Sequence, residues 1–247
     1  MPTDPRAALL DLIATLSFRL GDFTLASGQK SDYYIDCRTT TLHAEGGRLA
    51  GLVLYSLIRE HIPHAVAVGG LTLGADPLVS NTASASAWAL ADYRKILARG
   101  PERASASRMD ELSPSDPAYV DLPLIDPDSG PEPTLIHGFL VRKAGKAHGT
   151  GRRIEGFLHP GAPVVIVDDV CTTGGSTIAA IEATRDAGMH VAGVLCLVDR
   201  EQGGRLNIER ALAEVPPTSD SDPTPPFLSI YTATDVRRAH LALKGHP

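Results

Sequence analysis

The stretch VVIVDDVCTTGGST, Val164–Thr177, passes from a continuous apolar run through two carboxylates into a turn of small hydroxyl and glycine residues. An uninterrupted Val/Ile run is the pattern of a strand buried on both faces, as in a parallel sheet. Next, GGSTIAAIEATRDAG reads as a helix with a glycine stop signal at Gly188. Ligands in open parallel α/β sheets sit beyond the carboxyl ends of the strands. The turn CTTGGST offers backbone N–H groups, hydroxyls and a helix N-terminus, which together make an anion site. Gly174 and Gly175 let the backbone approach a phosphate, and no GK[ST] lysine makes this a Walker A loop. Asp168 and Asp169 in front of such a cradle suit a sugar phosphate, because carboxylates accept from vicinal ribose hydroxyls. A Rossmann-like turn with incidental acids is the alternative.

Outward from this segment, strands and helices alternate. Residues 6–20 have apolar positions at helical spacing, GDFTLASGQKSDYYID suits short strands and a hairpin, and residues 44–60 predict a helix. AVAVGG at 65–70 reads as a buried strand. GADP, Gly74–Pro77, then opens a helix reaching about Ala98, with Asp76 as N-cap and Pro77 as first helical residue. Residues 99–133, rich in Pro, Ser and Asp, read as an insertion or long loop. LIHGFLV at 135–141 predicts a strand, followed by the basic, glycine-containing RKAGKAHGTGRR. VAGVLCLVD predicts another strand, a helix is expected near 204–214, PPTSDSDPTPP is a surface loop, and FLSIYTA is the last strand. The expectation is one α/β domain over 1–247: a Rossmann-like parallel sheet flanked by helices.

Composition narrows the function classes. A formal net charge of -6 argues against a nucleic-acid or membrane-surface binder, while leaving room for a small anionic substrate at a local basic mouth. Cys37, Cys171 and Cys196 are too scattered for a zinc site or disulfide framework, and Cys196 lies in an apolar run that reads as core. No secretory leader or membrane span is expected, so the chain reads as cytoplasmic.

VVIVDDVCTTGGST resembles the 5-phosphoribosyl 1-pyrophosphate (PRPP) signature of the type I phosphoribosyltransferases. The resemblance implies that Asp168, Asp169, Val170, Cys171, Thr172, Thr173, Gly174, Gly175 and Ser176 surround the ribose 5-phosphate. Three further segments are similar to the orotate phosphoribosyltransferases. FTLASGQKSDYYID looks like that family's N-terminal hood segment, giving a hood over about 1–40. VRKAGKAHGTGRRIEG looks like its mobile catalytic loop, with Arg142, Lys143, Lys146 and His148 at PRPP-contacting positions and Lys146 as the catalytic residue. LVDREQGG puts Arg200 at the position of an orotate-binding arginine, with Thr172 as companion. The resemblance implies a pentosyl transfer from PRPP to orotate in pyrimidine biosynthesis, with Mg2+ held mainly through substrate and water, and a homodimer sharing the catalytic loop. The chain departs from many bacterial members at Ala26 and at Thr72-Leu73, where they carry a lysine and an aromatic-lysine pair, so pyrophosphate contacts there are not transferred.

Physical chemistry leaves alternatives beside these roles. The basic loop could be merely solvated, although cationic donors closing on a leaving pyrophosphate would lower its barrier. Arg200 could hold a carboxylate in bidentate fashion, or pair with Asp199 or Glu201. Tyr33 and Tyr34 either shape a base pocket or pack the hood on the core.

Overall fold

The computed structural model describes residues 4–24, 30–99, 132–143, 153–214 and 225–245. A six-stranded sheet has β3 (Ala67–Leu71), β4 (His137–Val141), β5 (Ile154–Gly156), β6 (Pro163–Cys171), β7 (His190–Asp199) and β8 (Phe227–Thr232) in the order β5-β4-β3-β6-β7-β8. All neighbours are parallel except β4–β5. The apolar run Val164–Val167 of β6 is at most 1% exposed at each residue. At roughly 1.5–3 kcal/mol per fully buried side chain, this central strand is a firm anchor for the polar turn that follows it.

Helices cover both faces, as the continuous strands require. On one face lie α1 (Pro5–Leu12), α3 (Ala44–His61), α4 (Ala75–Arg99) and the last helix, α7 (Ala233–Leu243). On the other lie α5 (Gly175–Asp186) and α6 (Gly204–Ala213). The short α2 (Arg38–Thr41) links the hood to α3. The hood itself is an antiparallel pair, β1 (Phe18–Thr24) and β2 (Lys30–Ile35), matching the predicted hairpin.

The short amphipathic helix expected over 6–20 is instead α1, then a π-helical turn at Ile13–Ser17, with Phe18 already in β1. Hydroxyls of α2 take the carbonyls that would continue the helix: Thr39 Oγ1 donates to Leu16 O at 3.0 Å and Thr40 Oγ1 to Leu12 O at 3.4 Å. The expected strand at 135–141 begins only at His137, because the Ser86 hydroxyl engages both the N–H and the C=O of Ile136. Asp76 is not the N-cap of α4 but its second residue. Ala75, fully buried against Gly70, is drawn into the first turn, and Asp76 N donates to Leu73 O at 3.3 Å. α4 ends at Arg99; of the insertion expected over 99–133, residues 100–131 lie outside the described ones, as do residues 215–224, which hold most of the predicted surface loop at 216–226.

The C-terminal helix α7 had no counterpart in the sequence reading. A capping box starts it, Thr232 and Asp235 each accepting from the other's backbone N–H. It clamps the hood to the body: His240 Nδ1 meets Ala14 O at 2.7 Å, Arg237 Nη1 meets Asp32 Oδ2 at 2.7 Å, and His240 lies 5.0 Å from the Phe18 ring.

Candidate active site

Beyond the carboxyl ends of β3 and β6, a cleft of about 590 Å³ opens between the hood and the sheet. It is lined by Asp168, Asp169, Val170 and Ser176, by Leu71–Gly74, whose Gly74 abuts Asp169, by Tyr34, Asp36 and Arg38 from the hood side, and by Arg142 and Lys143.

β6 runs through both carboxylates as far as Cys171 before the turn begins. Gly174, at φ 82°, is the N-cap of α5, and a side chain there would sit 2.9 Å from Ile208 and 3.0 Å from Gly204 O. Only glycine suits that backbone and that close approach. The N-terminus of α5 therefore opens directly beside Ser176 and the two carboxylates, an arrangement that attracts a phosphate.

Asp168 is buried and its Oδ2 accepts from Thr177 Oγ1 at 2.5 Å. Burial pushes its pKa up to about 7; the Thr177 hydroxyl opposes that rise, and the neighbouring Asp169 adds to it. Burial also raises Asp169, against the backbone N–H of Val170. Such carboxylates have a strong demand for donors or a cation. Gly74 makes room for Asp169: a Cβ there would collide with its carboxylate. The Thr72–Leu73 peptide in the same turn is cis.

Arg200 follows β7, with its N–H donating to Cys171 O at 2.8 Å, so it is tied to the phosphate turn. Its side chain is buried under the hood, where the guanidinium lies 4.9 Å from the Tyr33 ring centroid and Nη2 is 3.4 Å from Ser31 Oγ. Neither neighbouring acid pairs with it. Asp199 Oδ1 accepts from Glu201 N at 2.8 Å and its Oδ2 is 3.7 Å from Arg205. Glu201, in the left-handed region at φ 60°, uses its carboxylate to hold Thr234 N and Oγ1 at the start of α7. Among the described residues, Arg200 Nε is buried without a partner.

Comparison with known proteins decides the family. Residues 145–212 match the phosphoribosyl transferase domain. The orotate phosphoribosyltransferase of Aquifex aeolicus is 38% identical over 208 residues, covering 83% of this chain and 89% of the relative. That of Rhodopirellula baltica is 35% identical over 202 residues, 80% and 82% of the two chains. The chain belongs to the orotate phosphoribosyltransferase family.

Solved structures agree. The Mycobacterium tuberculosis orotate phosphoribosyltransferase in complex with Fe(III) dicitrate superposes with a TM-score of 0.62 at 30% identity, covering 94% of this chain and 99% of the other. The same enzyme in complex with PRPP gives 0.58 at 27% identity, with coverage of 94% and 99%.

Within this family frame, the structure brings Asp168, Asp169, Val170, Ser176, Arg142 and Lys143 to one cleft. Cys171 belongs to the same turn, but its side chain is buried, so close to Gly204 that a Cβ there would clash with its sulfur. It can offer a ligand only its backbone. Thr172 and Arg200 do not line the open cleft; Arg200 is reached from the hood side, behind Tyr33. Lys146, His148 and Ala26 lie outside the described residues. Arg142 is 3.5 Å from Glu155 on β5. Tyr33 packs the hood on the core, stacking on Phe18 at 5.5 Å, whereas Tyr34 faces the cleft. The sequence reading missed the pair Asp36–Arg38, the grip of Thr177 on Asp168, and the fit of Gly74 against Asp169. Only the first had a local signal, opposite charges two residues apart directly after a predicted hairpin.

Proposed function

We propose that the chain transfers the 5-phosphoribosyl group of PRPP to N1 of orotate, giving orotidine 5′-phosphate and pyrophosphate in pyrimidine biosynthesis. One observation carries the site assignment: Asp168 and Asp169 face a cleft beside the open N-terminus of α5, in a member of this family. The 5′-phosphate docks on the backbone N–H groups and hydroxyls of Thr172–Ser176. The two carboxylates accept from the ribose hydroxyls, which fixes C1′ in the cleft.

As the C1′–oxygen bond to pyrophosphate breaks, its electron pair leaves with the pyrophosphate, and the C1′–N1 bond forms on the opposite side of a cation-like sugar. Orotate N1 enters as an anion, so no side chain has to remove a proton. Arg142, Lys143, Lys146 and His148 receive the growing negative charge, Lys146 being the catalytic residue. Loop closure excludes water from the reactive sugar. Arg200 holds the orotate carboxylate or a ring carbonyl with Thr172 beside it; its buried Nε, without a partner among the described residues, supports that role.

The residues present fit Mg2+ held through substrate. The buried carboxylates of Asp168 and Asp169 favour a positive charge near them. When bound, the ion would neutralise the pyrophosphate. We assign the protein to the cytoplasm, a reading supported by three buried free thiols, and to a homodimer in which the basic loop serves the neighbouring subunit's site.

The test is turnover by purified protein with PRPP, Mg2+ and orotate, with uracil and adenine as competing acceptors. Orotate should be consumed and pyrophosphate released in equal amounts. Consumption of another base in preference, or none at all, would sink the assignment.

A further inference from the structure

The roles above leave two charged groups of the cleft unassigned. Asp36 and Arg38 directly follow the hood hairpin, and both line the cleft together with Asp168 and Asp169. Arg38 Nε donates to Asp36 Oδ1 at 2.8 Å and Nη2 to Oδ2 at 2.7 Å, a two-point grip on one edge of the guanidinium. The backbone N–H of Arg38 adds a third bond to Oδ1 at 3.1 Å. The fork is thus fixed in orientation, yet the Arg38 side chain remains 48% exposed. Among the described residues Nη1 has no protein partner.

The charges around it define what it can meet. Three carboxylates, Asp36, Asp168 and Asp169, line a cleft that has to admit a polyanion, and the described cations on its walls are Arg38, Arg142 and Lys143. Arg142 already stands near Glu155. The turn Leu71–Gly74 brings no charged side chain. Arg38 is the cation fixed on the hood side, and its charge is felt by Asp169, the carboxylate that Gly74 accommodates.

We infer that Arg38 is a binding residue for the pyrophosphate group of PRPP, with Asp36 as the positioning residue that aims its free edge into the cleft. The inference rests on the reading of this cleft as a PRPP site. Two other placements fit less well. The 5′-phosphate has its own anion site at the α5 N-terminus beside Ser176, where backbone donors converge. The acceptor has Arg200, which sits behind Tyr33 and outside the open cleft. What remains for Arg38 is the strongly charged end of the donor, on the Asp169 and Gly74 side. A guanidinium whose second edge is engaged by a carboxylate keeps its planar geometry and loses little freedom on binding.

The test uses the full chain with Arg38→Ala, Arg38→Lys and Asp36→Asn. Thermal melts verify folding, calorimetric titration with pyrophosphate and Mg2+ measures binding, and steady-state kinetics give KM for PRPP and for orotate separately. Arg38→Ala should weaken pyrophosphate binding and raise the PRPP KM by about tenfold, with orotate KM within about twofold of wild type. Lysine should restore part of that loss, and Asp36→Asn should shift the same two constants less and in the same direction. An unchanged pyrophosphate Kd in folded Arg38→Ala, or a rise confined to orotate KM, would overturn the inference. Wild-type protein that binds no pyrophosphate would overturn it together with the PRPP reading. Wild-type protein that binds pyrophosphate through Arg38 without consuming orotate would refute only the acceptor.

Discussion

Thr177 Oγ1 donates to Asp168 Oδ2 at 2.5 Å, so the first turn of α5 grips the first carboxylate of the site. This bond favours the ionised carboxylate against the effect of burial. Thr177→Val, which keeps the shape of a buried side chain, should let the Asp168 proton affinity rise further. Less of the protein then presents an ionised acceptor at pH 7. We expect the PRPP KM there to increase about 3- to 10-fold, and the acidic limb of kcat/KM for PRPP to move to higher pH. A profile that overlays the wild type would remove Asp168 from ribose binding.

The same carboxyl makes the folded state sensitive to pH. Its folded pKa of about 7 stands above the ordinary 3.8, so the folded chain retains a proton that the unfolded chain has lost between those values. Stability contributed by Asp168 is therefore present at low pH, declines as pH rises through that window and is gone above it. Asp168→Asn keeps an acceptor for Thr177 and cannot ionise. In denaturant melts it should exceed wild type by about 2–4 kcal/mol at pH 8, with the gap closing toward pH 4, while turnover falls steeply. A constant gap across pH would contradict the argument.

Gly74→Ala places a methyl where the Asp169 carboxylate now lies. The group that must yield is the far end of a side chain, so the stability loss should be small, about 1 kcal/mol. Ribose positioning should suffer more, with the PRPP KM up about tenfold and orotate KM little changed. A variant with normal kinetics would show that Asp169 has freedom to move.

For Arg200→Lys the charge persists but the planar fork and the buried Nε are lost. Orotate KM should rise about 10- to 100-fold, with PRPP binding by titration near normal. Equal losses for both substrates would point instead to a collapsed hood.

Lys146→Ala should lower kcat by about 100-fold or more while PRPP binding is mostly retained, because its charge is called on as the pyrophosphate departs. Rapid-quench measurement of the single-turnover rate separates this from slow product release. An unaltered rate would take the lysine out of the mechanism.

The strand, turn and helix of Val164–Thr177 were legible because their signals are local. An apolar run, two acids, a glycine at the left-handed position and a helix follow one another within Val164–Thr177, and nothing distant overrides them. The start of α4 was misplaced by two residues, at Pro77 instead of Ala75, since the packing of buried Ala75 against Gly70 depends on contacts that no cap rule contains. The true end of the first helix was hidden because the hydroxyls that stop it, on Thr39 and Thr40, come from another helix. Arg200 illustrates the middle case. Its place after a strand was readable, but its separation from Asp199 and Glu201 follows from the other duties those acids perform, one toward Arg205 and one toward Thr234.

The clamp of α7 on the hood also sets an order of assembly. Its contacts join residues 226 and 205 positions apart, His240 to Ala14 and Arg237 to Asp32. During synthesis the hairpin emerges long before the helix that seats it, whereas β6 and α5 are contiguous and can associate as soon as both have left the ribosome. The strand, turn and helix that carry Asp168 and Asp169 can therefore take shape on a nascent chain, while the hood is seated only once α7, ending at Leu243, has been made.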